Sequence, residues 1–203
     1  MAVEESTSVA SAAVKIADPG PLGLAAFALT TFVLSMVNSG LVNSGVEPVV
    51  FGLALAYGGI GQFAAGLWEF RTGNTFGATA FCSYGAFWIS FWALIQFFAK
   101  DLPAGQVGHA VGLYLMAWGI FTTYMFVASL RINVAVAAVF VLLAATFWVL
   151  GIGNWSGGGA ITSTVKFGGY LGLVTAAAAW YASFAIVTNS TFGRTVLPLR
   201  PLS

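Results

Sequence analysis

The residues able to do chemistry in this chain are few, and almost none of them is charged. There is one histidine, His109, and one cysteine, Cys82, and no Asp or Glu falls in the middle of a long apolar run. Hydrolysis needs a nucleophile beside its base, and metal catalysis needs a cluster of ligands. Neither can be assembled, so the expectation is a protein that is not an enzyme, with no catalytic residue, no metal site and no cofactor. His109 reads as an interfacial structural residue, and Cys82, alone in an apolar run, as a buried inert thiol. The polar groups inside the apolar runs are uncharged: Thr30, Thr31, Ser35, Asn38, Gln62, Thr79, Ser83, Tyr84, Thr122, Thr123 and Thr146. Hydroxyls, amides and aromatic faces of this kind suit a path for a small solute, including a weak acid that crosses with little water.

The elements that must position these groups follow from composition. The 203 residues are 59% hydrophobic and 6% charged, against about 25% charged in an ordinary globular domain, so water is not the main solvent. A net charge of +1 offers no basic surface for phosphates, and nucleic acid is not expected as a partner. Apolar runs long enough to cross a bilayer of about 30 Å occur over Leu22–Leu41, Val49–Trp68, Thr75–Ala99, Val107–Leu130, Val134–Ile152 and Phe167–Val187. They are too long and too uniformly apolar for barrel strands, and lipid requires every backbone group to pair internally. The predicted fold is an all-α membrane protein of six transmembrane helices.

Orientation follows from the short connections. With both ends on one side, that side holds Lys15, Arg71, Arg131, Arg194 and Arg200, and the other holds Lys100 and Lys166. Five against two predicts that both termini are cytoplasmic. Residues 1–17 read as a mobile N-terminal tail without the pattern of a cleavable signal peptide, 18–191 as the six-helix transmembrane domain and 192–203 as a cytoplasmic C-terminal tail. The island Glu69-Phe70-Arg71-Thr72-Gly73-Asn74-Thr75 reads as a cytoplasmic hinge in which Gly73-Asn74 suits a tight turn and Glu69 pairs with Arg71. Small residues spaced for close helix contact, Ala54 and Gly58, Gly61 and Ala65, and Gly168, Gly172 and Ala176, predict tight seams. A retinal pump is excluded because Lys166 lies at the edge of the sixth run. No sequence repeat or mid-membrane charge marks a common secondary transporter.

Several blocks resemble one family in the right order: "DPGPLGL" at Asp18–Leu24, "YGGIGQ" at Tyr57–Gln62, "GLWEFRTGNTFGATAF" at Gly66–Phe81, "SYGAFW" at Ser83–Trp88, "GIGN" at Gly151–Asn154 and "FGRTVLP" at Phe192–Pro198. Together they are similar to the acetate and succinate uptake transporters, the GPR1/FUN34/YaaH family, over nearly the whole chain. The resemblance implies a permease for acetate, with succinate or other small monocarboxylates, coupled to protons; a passive channel for small carboxylate anions is the alternative. It also implies a homohexamer in the lipid bilayer with a pore in each protomer. The short first segment is similar to that of bacterial or archaeal members, which implies a plasma membrane.

The resemblance further implies an apolar constriction, placed by the matching blocks at Phe27, Tyr84 and Leu143; ordinary core packing is the alternative for each. Thr30, Thr31, Gln62, Thr79, Ser83 and Asn154 are the candidate substrate-binding residues. The entrance motif comprises Asp18, Pro19, Pro21, Leu22, Gly23 and Leu24. Asp18 and Gly20 depart from the usual Asn and Ala, making this mouth acidic, and a negative charge there opposes an anion. Pro19 and Pro21 fit either an irregular entrance to the first helix or an ordinary helix start. The seven tryptophans read as interfacial or packing residues. A structural or signalling membrane protein that conducts no solute is the reading from a different class.

Overall fold

The computed structural model describes residues 16–202; most of the predicted N-terminal tail, with Lys15, lies outside the described residues. Six helices among them are long and apolar enough to cross a membrane: α1 Gly20–Asn38, α2 Val49–Thr72, α3 Thr75–Asp101, α4 Val107–Ser129, α5 Val134–Gly157 and α6 Ser163–Phe192. Helices are the expected outcome because each closes its own backbone hydrogen bonds where no water is available.

Polar side chains at the ends set the boundaries. Asn74 Oδ1 accepts from Gly77 N at 3.0 Å to start α3, Asn133 Oδ1 accepts from Val136 N at 2.9 Å to start α5, and Thr162 Oγ1 accepts from Val165 N at 3.3 Å to start α6. These are N-caps, each satisfying one of the free amides of a first turn. The turn between α2 and α3 needs a left-handed residue, and Gly73 supplies it at φ +78°. Apolarity marks the bilayer-spanning part of α6, but its cap lets the helix begin at Ser163, before the predicted Phe167. Its far end runs through the polar Asn189-Ser190-Thr191 to Phe192, beyond the predicted Val187.

The helices stand in chain order around a closed ring, each beside the next, with α6 packed along α1. Two ends result. The terminal end carries the start of α1, the Gly73 turn, the α4–α5 connection and the chain's last residues. The loop end carries residues 39–48, 102–106 and 158–162. Between α2 and α3 the backbones nearly touch: a methyl group at Gly85 would lie 2.6 Å from the Phe63 nitrogen, and Gly66 faces the backbone of Cys82. Such contacts hold helices together in lipid, where apolar side chains gain nothing by leaving one hydrocarbon for another. On the outside, Ile120, Val127 and Phe184 are among the exposed apolar residues.

α1 starts as an ordinary helix. Pro19 and Pro21 occupy positions where the missing N–H costs nothing, and the Pro19 carbonyl accepts from Leu22 N and Gly23 N. Asp18 Oδ1 accepts from Gly20 N at 2.8 Å, and Ser183 Oγ donates to the Pro21 carbonyl at 2.7 Å, tying α6 to this start. The segment after Phe192 folds back on the bundle. Asn189 Oδ1 accepts from Val196 N and Leu197 N, its Nδ2 donates to Leu197 O, and Val134 N donates to Arg200 O. The chain's end is thus pinned across the base of α5 and α6.

Candidate functional site

Four cavities follow one another through the ring, each sharing wall residues with the next. At the terminal end a cavity of about 370 Å³ is bordered by Asp18, Leu24, Glu69, Asn74, Ala80, Phe81, Asn133, Phe140, Asn189 and Leu199. Leu24, Ala80, Phe81 and Phe140 pass into a chamber of about 20 Å³ closed by Phe27, Gln62, Tyr84 and Leu143. Phe27 and Leu143 also floor a chamber of about 40 Å³ that adds Thr31, Ser35, Asn38, Phe87, Trp88 and Thr146. Asn38, Phe87, Leu115 and Leu150 then lead to a vestibule of about 190 Å³ at the loop end, bordered by Glu47 and Asn154. A chamber of 20 Å³ holds about one water molecule, so the path narrows to a waist near its middle.

The waist is built by three elements. Phe27 of α1, Tyr84 of α3 and Leu143 of α5 are 4%, 3% and 4% exposed, and the rings of Phe27 and Tyr84 are 6.0 Å apart. Tyr84 is held in a cage of further rings: Phe121 at 5.4 Å, Phe140 at 6.0 Å, Trp118 at 6.1 Å and Phe147 at 6.5 Å. Its hydroxyl lies 2.9 Å from Thr122 Oγ1, and the Thr122 hydroxyl donates to the Trp118 carbonyl at 2.7 Å. With the threonine proton so used, Tyr84 donates to Thr122, and its polar tip is fixed against α4. Sequence reasoning missed Phe140 and Phe147. The signal was present: Val136, Phe140, Leu143, Phe147 and Leu150 recur every three or four residues on one face of α5, and all are buried.

Polar atoms without partners flank the waist. Gln62 is 1% exposed and its Oε1 has no hydrogen-bond partner, nor do Thr31 Oγ1 and Trp88 Nε1. A buried polar atom left unpaired costs about 1–3 kcal/mol, and three of them beside one narrow path leave open hydrogen-bonding positions there. Gln62 borders the chamber on the terminal side, and Thr31 and Trp88 border the chamber on the loop side. Carbonyl and hydroxyl oxygens accept from a carboxylic acid's O–H, while the Trp88 N–H can donate to its carbonyl. Trp88, which the sequence reads as interfacial or packing, is 2% exposed with its indole N–H unpaired.

Other predicted residues lie elsewhere. Asn154 borders the loop-end vestibule, its Nδ2 donating to Leu150 O at 2.9 Å. Thr30, Thr79 and Ser83 line none of the four cavities. Thr30 donates to the Ala26 carbonyl at 2.9 Å and fills the space opposite Gly58, so it serves the α1–α2 seam instead. Of the entrance motif, Asp18 and Leu24 border the terminal cavity. Gly23 packs against the Phe81 ring, and Leu22 is exposed on the outside.

Glu69 does not pair with Arg71, which is exposed. It is 2% exposed, and its Oε2 accepts from Asn74 Nδ2 at 2.9 Å and from Thr72 Oγ1 at 3.2 Å. It faces the terminal cavity together with Asp18. His109 stands at the loop end with its ring edge-on to Trp155 at 4.9 Å. Among the described residues no group of three or more His, Cys, Asp or Glu could hold a metal ion.

The model of the GPR1/FUN34/yaaH family matches residues 4–203 of the chain. The succinate-acetate/proton symporter SatP of Escherichia coli (strain K12) is 40% identical over 185 residues, 91% of this chain and 96% of that protein. Acetate permease A of Emericella nidulans is 41% identical over 197 residues, 91% of this chain and 66% of that one. The chain spans 61% to 66% of the length of the fungal relatives it matches. A solved structure of the bacterial acetate channel SatP superposes with a TM-score of 0.81 at 40% identity, covering 91% of this chain and 99% of that one.

Proposed function

From the premise that this chain belongs to the GPR1/FUN34/yaaH family, we propose that it carries acetate across a membrane through the row of cavities inside each protomer. The observation that carries this reading is the waist with unpaired polar atoms on both sides. Stripping a carboxylate of water costs several kcal/mol unless new partners replace the hydration. A small carboxylic acid loses less on protonation, and its O–H can donate to Gln62 Oε1 and Thr31 Oγ1 in turn. Carriage of acetate together with a proton follows, with succinate and other small monocarboxylates as further substrates. Phe27, Tyr84 and Leu143 act as the selectivity waist in this reading.

The orientation has both termini in the cytoplasm. Arg71, Arg131, Arg194 and Arg200 stand at the terminal end against Lys100 and Lys166 at the loop end, and excess positive charge favours the cytoplasmic side. The setting is the plasma membrane of a bacterium or archaeon, and the assembly is a homohexamer whose apolar outer faces meet lipid and neighbouring copies.

A passive channel is the second reading, and one observation favours it: wide cavities flank the waist at both ends in the same structure. Labelled acetate uptake into proteoliposomes, with pH and voltage gradients imposed separately, distinguishes the two. Proton-coupled carriage predicts accumulation driven by the pH gradient alone. Accumulation that follows voltage alone would establish the channel, and no flux above empty liposomes would contradict both.

A further inference from the structure

The loop-end vestibule is bordered by a single titratable side chain. Glu47 borders it from the segment before α2, and Asn38 on α1 and Asn154 on α5 border the same cavity. The first turn of α4, at Val107 and Gly108, completes the rim. A helix N-terminus presents free amides and a partial positive charge. Three kinds of group therefore border one cavity of about 190 Å³: two asparagine amides, with one Asn154 N–H already given to Leu150 O and the other left for a carboxylate, a helix end that attracts one, and a carboxylate that repels one.

These demands conflict only while Glu47 is ionised. Burial pushes its carboxyl above the ordinary carboxylate range, because a charged group loses solvation there. The helices packed around the cavity offer no cation to offset it: α1, α3, α4 and α5 contribute apolar residues, asparagines and backbone. The other charged or titratable groups at this end, Lys100, Asp101, His109 and Lys166, do not border it. His109 is turned against Trp155 and Lys166 lies along Gly40.

We propose that the vestibule is a subsite for a carboxyl–carboxylate pair, in which Glu47 and the substrate carboxylate share one proton between them. The proton comes from the medium, no covalent bond changes, and the occupied site holds two carboxyl groups with one negative charge, which Asn38, Asn154 and the α4 N-terminus receive. Glu47 is thus a specificity-determining residue that makes the binding of a substrate anion at this end depend on one bound proton. The inference rests on the acetate-transport reading and names the group that selects the acid.

The test is the apparent KM for acetate in proteoliposomes across external pH from about 6 to about 8, where acetate in the medium is almost all anion. Wild-type KM should rise toward tenfold per pH unit once the pH exceeds the Glu47 pKa, as a single linked proton requires, with less change in maximal rate. Glu47→Gln, which cannot exchange a proton, should hold KM within about twofold over that range. Glu47→Asp should restore the slope. A Glu47→Gln protein with the wild-type slope, or a Glu47→Asp protein without one, would overturn the subsite while leaving acetate transport standing. A wild-type protein that moves no acetate at any pH would overturn the transport reading and this subsite with it.

Discussion

In the proposed reading Gln62 is at once costly to the fold and useful to passage. Its amide is buried at the narrowest chamber with an oxygen that has no partner, whereas the nearby Tyr84 hydroxyl is satisfied by Thr122. Replacing Gln62 with Leu removes the unpaired acceptor and keeps similar bulk. Thermal unfolding in detergent should then show an unchanged or higher melting temperature, since a desolvation penalty of about 1–3 kcal/mol disappears. Acetate flux per folded protein should fall on the order of tenfold, the effect of losing one hydrogen bond of about 1–1.5 kcal/mol. Undiminished flux in a more stable protein would show that solute does not use this amide. Of the three residues placed at the waist only Tyr84 lies inside a matching block; Phe27 follows from the neighbouring Asp18–Leu24 block and Leu143 from counting back from Gly151–Asn154. The unpaired indole N–H of Trp88, although Trp88 closes a matching block, and the sharing of one cavity by Glu47, Asn38 and Asn154 are spatial facts, visible only after the helices meet.

At the scale of elements, the helix starts at Val49, Thr75, Val107 and Val134 were legible because each opens an apolar run behind Pro, Asn or Gln. The ends of α6 were not, since hydropathy reports where lipid begins and a cap such as Thr162 lets a helix start in the polar margin. The order of the ring was equally hidden. Every helix is apolar on nearly all sides, for lipid and protein interior are alike to a Leu side chain, so no stripe reveals the inward face. Glycines facing a backbone, such as Gly85 against Phe63, carry the packing information that amphipathicity would carry in water. The loops between the helices provide the test of orientation. With cysteines introduced singly at Gly73 and Ala104, in a chain whose Cys82 has been replaced, a membrane-impermeant thiol reagent should label Ala104→Cys on intact cells and Gly73→Cys only after lysis. Reversed labelling would place the terminal end outside.

For the whole molecule, the central claim is that solute moves through the protomer itself, along the cavities from Asp18 and Glu69 to Glu47 and Asn154, with Phe27, Tyr84 and Leu143 as the limiting section. The narrow apolar middle penalises hydrated ions, and wide ends with amides and carboxylates let a small acid collect on either side. Such a waist makes size the main discriminator, since a methylene-sized misfit is worth about 1–3 kcal/mol. A residue that only packed the core would behave differently: losing a buried Leu costs about 2–5 kcal/mol of stability, which lowers the amount of folded protein and all fluxes together.

The most direct measurement is therefore the ratio of lactate or succinate flux to acetate flux in proteoliposomes, normalised to folded protein at fixed pH, for Leu143→Ala and Tyr84→Ala beside the wild type. The ratio should rise on the order of tenfold in Leu143→Ala as the waist widens, and Tyr84→Ala should move it in the same direction. Ratios equal to wild type in both variants would contradict a path through this waist.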